Sequence, residues 1–301
     1  MMTSRIHTSR GFTLIEAILV IVLTGILGGM VAVFIKAPVE SYMDMSRRAA
    51  LTDVADTAVW RMARDIRLAL PNSVRNPSTV GQDQCVEFMP TKSGGRYRAT
   101  QTAALTGDIL DFSTADASFD MLGVNGSLPA SEQIAANDIV AVYNDGSTSG
   151  NAYIGSNAVQ ISSIAAGGTA GTTKINFVAT GTTIFARKTL PSPSPANRFQ
   201  VLSSNEQVVS YMCSGNTLFR YSRDITALTA AWAQPTTCAA MASGATAATL
   251  ATNVTSCSIK YEPPGTGAGG GRFGIVSISL AMTQSGESVN LYHQVKVDNT
   301  P

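Results

Sequence analysis

Phe12–Ile35 is a nearly unbroken apolar run of 24 residues, and it limits what this chain can fold into more than any other feature. A helix that crosses a bilayer needs about 20 apolar residues. A secretory signal peptide has a shorter apolar core, with a small-residue cleavage site beyond it. No Ala-x-Ala pattern follows the run before Lys36, although Gly25, Gly28 and Gly29 lie inside it. The run is therefore expected to persist as an anchor. Arg5 and Arg10 flank it on the N-terminal side, and a long polar chain follows. That asymmetry predicts a cytoplasmic N-terminus and an external bulk. Glu16 stands four residues after Phe12, inside the run. An ionisable group in a spanning helix costs about 2.5–3.5 kcal/mol on insertion scales, which argues for a use.

Gly11-Phe12-Thr13-Leu14-Ile15-Glu16 resembles the prepilin signature of type IV pilins and type II secretion pseudopilins. The resemblance implies that residues 1–11 are a leader. A prepilin peptidase would cut between Gly11 and Phe12 and N-methylate Phe12, and Glu16 would serve assembly. It also implies partners: other major and minor pilins met through the N-terminal helix, and an inner-membrane assembly platform. The chain would be a single-pass inner-membrane protein with a periplasmic head before assembly, and part of an extracellular pilus afterwards. The plainer alternative is an ordinary anchor whose Glu16 snorkels to the interface.

Removing residues 1–11 leaves 290 residues, enough for a sizeable core. The formal charge is +1 for the whole chain, and −1 once Arg5 and Arg10 are gone. No clustered basic face of the kind that binds nucleic acid is evident. Charged residues are few while Ala, Ser, Thr and Gly abound, which suits an exported β-rich domain.

A helix is expected over 12–70, its part 12–35 spanning the membrane. A kink or short break is expected at Lys36-Ala37-Pro38, because proline removes a donor and clashes with the preceding turn. The helix should stop before Pro71. Phe12 to Leu70 would span about 90 Å. Leu51, Val54, Ala58, Met62, Ile66 and Ala69 recur at helical spacing as one apolar stripe, with Arg61, Arg64 and Asp65 off it. Trp60 and Met62 read as packing residues. Ala50–Arg75 is similar to the large minor pilins of the PilW and GspJ type. Arg198–Tyr221 and Tyr292–Val297 add to that likeness. Thr91–Pro195 carries no matching motif.

Beyond Pro71 the periodicity alternates. Strands are expected at Cys85–Met89, Ile139–Tyr143, Val159–Ile164, Ile175–Val178, Phe199–Leu202, Val208–Cys213, Thr217–Tyr221 and Ser258–Tyr261. Val276–Met282 and Val289–Val297 should form a terminal hairpin about Ser285-Gly286, and Asp145-Gly146 marks another turn. Pro191–Pro195 reads as a stiff link between sub-sheets, and Gly265–Gly271 as a flexible loop without P-loop features. The expected class is α+β: a long N-terminal membrane-spanning and amphipathic helix packed on a β-rich head formed by 71–301.

Cys85, Cys213, Cys238 and Cys257 form no Cys-x-x-Cys pair, so disulfides are expected rather than zinc. Cys213–Cys238 is favoured because it closes a local loop of 25 residues, and it leaves Cys85 with Cys257. Each closure would contribute about 3 kcal/mol. Catalytic motifs are lacking and no cofactor is implied. His7 is in the leader. His293 lies between Leu291 and Val295 on an apolar face and reads as a hydrogen-bonded core histidine. Asp108, Asp111, Asp116 and Asp120 could offer oxygen ligands to calcium, but their spacing fits a solvated loop better. The expected function is a minor pilin, not an enzyme: a structural subunit at the filament tip that primes assembly. A tip adhesin, a secretion pseudopilin and a membrane-tethered periplasmic enzyme are the alternatives.

Overall fold

The computed structural model describes residues 11–265 and 273–301; residues 1–10 and most of the expected glycine loop lie outside the described residues. The chain divides into two units, one ending at Ala50 and the other running from Leu51 to Pro301. Helix α1 is Leu14–Arg67. Thr13 starts it: its carbonyl accepts from the backbone N–H of Glu16 and of Ala17. Pro38 lies inside α1, so of the kink or short break expected there the break does not occur. Proline deletes one bond of the ladder, and intact turns on both sides keep the helix going.

In the second unit α1 buries Leu51, Ala55, Ala58, Val59, Met62, Ala63 and Ile66. Val54 is exposed, and Ala55 takes the place expected of it. Position 54 is about a quarter-turn off the line through 55, 58/59, 62 and 66. Trp60 is also exposed rather than packed. The helix ends three residues before the expected Leu70. Leu68 and Ala69 donate back to Asp65 and Ile66, tightening the last turn, and Leu70 N–H then bonds Met89 carbonyl at 2.7 Å.

The strands are β1 (Cys85–Phe88), β2 (Thr91–Arg96), β3 (Ser118–Leu122), β4 (Ile139–Ala141), β5 (Ala158–Ala166), β6 (Thr172–Phe177) and β7 (Arg198–Leu202). Then come β8 (Val208–Ser214), β9 (Thr217–Arg223), a short helix α2 (Cys238–Ala242), β10 (Thr246–Thr252), β11 (Val254–Glu262), β12 (Phe273–Gln284) and β13 (Glu287–Asp298). They make three antiparallel sheets, ordered β1-β8-β9-β10, β11-β12-β13 and β2-β7-β4-β5-β6-β3. The β12–β13 hairpin turns at Ser285-Gly286, both at positive φ, as a tight hairpin requires. Strands β2, β3 and β10 were not anticipated. β2 and β10 are rich in Gly, Ser, Thr and Ala and lack an alternating apolar face, whereas β3 does alternate, with Phe119 and Met121 buried, but is only five residues long.

One core lies between α1 and the first two sheets. The buried stripe of α1 meets Val86, Phe88, Val209 and Tyr211 of the four-stranded sheet. It also meets Ile259, Val276, Ile278, Leu280 and Val295 of the three-stranded one. The result is a long apolar helix packed on a β-rich head, an α+β protein. The six-stranded sheet closes on itself: Tyr97 bridges Met121, joining the ends of β2 and β3 around Phe119, Ile161, Phe177 and Phe199. The Pro191–Pro195 stretch joins β6 to β7 within this one sheet, not two sub-sheets. Ser194 in it is buried, and its N–H donates to the Tyr97 hydroxyl at 3.0 Å.

A buried polar network fixes the last turns of α1 to the sheet. Tyr211 donates to Asp65 at 2.6 Å, and Arg220 donates to Asp65 at 3.1 Å and to both oxygens of Glu206. Burial, reinforced by Asp65, pushes the Tyr211 phenol far above its usual range, so it remains a neutral donor. Asp65, which the stripe left outside the core, is therefore a half-buried anchor.

The disulfides are Cys85–Cys238 and Cys213–Cys257, not the expected Cys213–Cys238 and Cys85–Cys257. Register explains the exchange. Cys85 stands opposite Met212, so the next residue, Cys213, points to the other face of the sheet. Cys85 and Met212 meet Cys238 and Met241 of α2 on one side. Cys213 reaches Cys257 of β11 on the other and ties the four-stranded sheet to the three-stranded one.

Non-reducing peptide mapping of the purified protein should recover Cys85 linked to Cys238 and Cys213 linked to Cys257. Recovery of a Cys213–Cys238 peptide would overturn this register. Asp65→Ala should lower the unfolding free energy in urea by about 2–3 kcal/mol, because Tyr211 and Arg220 lose a buried acceptor. Tyr211→Phe should cost about 1 kcal/mol. Equal effects from both would contradict the central place given to Asp65.

Candidate functional site

The site residues expected from the sequence fall together at the start of α1. Gly11, Phe12 and Thr13 precede the helix, and Glu16 is in its first turn. A side chain placed on Gly11 would meet nothing within 4 Å. Nothing in the described chain therefore demands glycine at 11, and the demand that the prepilin resemblance places there belongs to the cutting enzyme. Phe12 is 76% exposed.

Glu16 follows Thr13 at the spacing of a capping box, although no side-chain cap bond forms here. A carboxylate in the first turn is favoured by the helix dipole by about 0.3–1 kcal/mol. This offsets only part of its insertion cost of about 2.5–3.5 kcal/mol. Glu16 has no cationic partner among the described residues. Cleavage after Gly11 would create one, an amine on Phe12, two residues ahead of the helix.

Every residue from Gly11 to Met43 is exposed. The helix is long and apolar enough to cross a membrane. Each large apolar side chain gains about 1.5–3 kcal/mol on leaving water, so the whole segment far outweighs the penalty on Glu16.

Residues 6–32 match the family model of the prokaryotic N-terminal methylation motif. The match spans Gly11, Phe12 and Glu16 and supports a type IV pilin-like protein with a prepilin-type N-terminus. It covers 27 of the 301 residues and leaves the head unmatched. No significant match to this chain was found among curated proteins or among solved structures.

The other candidates resolve into internal structure. Asp120 is fully buried, not solvated: it accepts from the backbone of Asp108 and Gly168 and faces Arg98 at 3.7 Å. Asp108 pairs with Lys174 at 3.0 Å. Asp111 accepts from Ser113, whose bonds hold its carboxyl below the usual range, while burial raises Asp116. Among the described residues no group of three or more His, Cys, Asp or Glu is arranged to hold a metal ion. His293 is half-buried, and its Nε2 has no hydrogen-bond partner among the described residues, contrary to expectation. Its ring lies 5.5 Å from that of Trp60.

Sequence reasoning missed a second internal cluster. Glu87 is fully buried, accepts from Arg75 at 2.6 Å and 2.8 Å, and takes the indole N–H of Trp232 at 3.2 Å. The Arg75 guanidinium lies 3.5 Å from the centre of the Tyr153 ring. Tyr153 and Trp232 are far from Glu87 in sequence, and no local pattern signals the contact.

Gly11→Val should leave the protein at precursor size in cells, as read by immunoblot against the wild type. Mature-size product from that variant would remove the cleavage assignment.

Proposed function

We propose that this chain is a minor pilin of a type IV pilus of the MSHA kind, similar to the MSHA pilus biogenesis protein MshO. Prepilin peptidase cleaves it between Gly11 and Phe12 and N-methylates Phe12. The helix holds it in the inner membrane with the head in the periplasm until it enters a filament with other pilins. One observation carries this reading: the methylation motif at 6–32 lies on an exposed apolar helix with a lone carboxylate in its first turn. The likeness of Ala50–Arg75, Arg198–Tyr221 and Tyr292–Val297 to PilW and GspJ-type pilins supports the minor-pilin assignment. The size of the head, enlarged by a closed six-stranded sheet, favours a place at the filament end, where no neighbour stacks above.

Glu16 supplies the assembly chemistry. Helices bundled without water leave a carboxylate costly unless it meets a cation. The amine of Phe12, still cationic after a single methylation, is that cation, on a neighbour or on the same chain. Desolvation limits the net gain, so the pair acts mainly as a selector of axial register. Glu16→Ala should leave insertion and cleavage intact while lowering incorporation and the number of pili per cell. The measurement is electron microscopy with head labelling, beside a blot for cleaved protein. Normal pilus number with normal head labelling would remove this role.

A further inference from the structure

The two disulfides of the head cross one another along the chain. Cys85 joins Cys238 and Cys213 joins Cys257, so each bond encloses one cysteine of the other. Neither bond joins cysteines that follow one another in sequence. Cys238 and Cys257 are 19 residues apart, and Cys213 and Cys238 are 25 apart. These are the two shortest closures, and the native fold uses neither. Closing a loop costs less entropy over fewer residues, so encounter in the unfolded chain favours a non-native bond.

Joining Cys238 to Cys257 leaves Cys85 with Cys213, and the sheet gives those two a way to meet. In the native register of β1 and β8, Cys85 stands opposite Met212 and Phe88 opposite Val209. A slip of one residue sets Cys85 opposite Cys213. Directly opposed residues of an antiparallel pair lie at the Cα spacing that a disulfide requires. The same slip gives Val86 and Phe88 a face shared with Met212 and Ser210, no longer with Tyr211 and Val209. Val86, Phe88, Val209 and Tyr211 all belong to the core beneath α1. A Cys85–Cys213 bond would therefore lock the sheet in a register that cannot form this core.

We propose that this chain is a substrate of a periplasmic thiol–disulfide isomerase, which releases it from the form bonded Cys85–Cys213 and Cys238–Cys257. This rests on the pilin reading, which places the head in an oxidising compartment beyond an N-terminal anchor. In that export order Cys85 and Cys213 emerge before Cys238 has arrived. The first two bonds form by exchange with the disulfide of a periplasmic oxidase, which leaves as a dithiol. The thiolate of the isomerase then attacks Cys213 Sγ, forming a mixed disulfide and releasing the Cys85 thiolate. Cys85 attacks Cys238 Sγ and releases the Cys257 thiolate. Cys257 attacks Cys213 Sγ and releases the isomerase thiolate. Two disulfides enter and two leave, so the rearrangement needs no further oxidant. Cys213 suits the first attack: it is half-buried in the native head and precedes the exposed turn Ser214, Gly215 and Asn216, whereas Cys85 is fully buried. Burial of the core side chains in the native register drives the exchange forward.

The test is non-reducing peptide mapping of the full-length chain, exported in bacterial hosts with and without such an isomerase and alkylated at lysis. Trypsin leaves Cys85 and Cys213 on separate peptides and Cys238 with Cys257 on a third, which a chymotryptic cut after Leu250 divides. The host with isomerase should give the native linkages. The host without it should lose them in favour of a Cys85 peptide bonded to a Cys213 peptide. Cys85→Ser combined with Cys238→Ser leaves one possible bond, Cys213–Cys257, which should form equally in both hosts. Equal native linkage of the wild type in both hosts would overturn the proposal. So would a different mispairing in the host without isomerase, or a double variant as dependent on the isomerase as the wild type. In each of these cases the head is still oxidised and the pilin reading stands; four free thiols in both hosts would overturn the two together.

Discussion

Packing of α1 from Leu51 to Ile66 against two sheets at once is the interaction on which the head depends. The four-stranded and three-stranded sheets share no strand, yet both contribute to the core beneath this helix. Ala55, Ala58 and Ala63 let the sheets come close, while Leu51, Met62 and Ile66 supply apolar area worth about 1.5–3 kcal/mol each. The Cys213–Cys257 bond fastens the two sheets to one another at the same seam. Apolar burial alone would allow the helix to slide or turn. The bonds from Tyr211 and Arg220 to the half-buried Asp65 restrict that freedom, since both donors must be met at one position of the helix.

The closed six-stranded sheet enlarges the head without lengthening the helix core. It grows out between β1 and β8, adjacent strands of the four-stranded sheet, so its ends are held close by a pairing already present. Its interior is aromatic, with Phe119 edge-on to Phe199 at 5.2 Å. Asp120 and Arg98 sit where its first and last strands meet, so the seam is held by charge as well as by backbone. Closure leaves this sheet few free edges.

At the other end of the chain the physics is opposite. Among the described residues the first unit buries almost nothing of its own, and its helix is long and apolar enough to cross a membrane. Within the apolar run, Glu16 has no cationic partner among the described residues. In the head every buried carboxylate has one: Glu87 has Arg75, Asp120 has Arg98 and Asp138 has Lys92. The contrast separates carboxylates paired within the head from one with no cationic partner among the described residues.

The sequence by itself determined the long apolar helix, the prepilin-type motif that spans Gly11-Phe12 and Glu16, and the change from helical to alternating periodicity after Pro71. All of these are local: they depend on composition or on residues within a turn or two. Most central strands were legible for the same reason, because alternating apolar residues report a half-buried sheet. Tertiary structure alone decided which cysteines pair. A local loop of 25 residues suggested Cys213–Cys238, but strand register put Cys213 on the opposite face from Cys85 and Cys238. It also decided that Asp65 and Glu87 are anchors rather than surface charges, because their partners Arg220 and Trp232 lie about 150 residues away. Strands β2 and β10 escaped notice because their residues are small and polar, and β3 because its Phe119-x-Met121 alternation is short and its intervening Asp120 reads as loop. All three are held by pairing with neighbours, and pairing between distant segments leaves no trace in a single sequence.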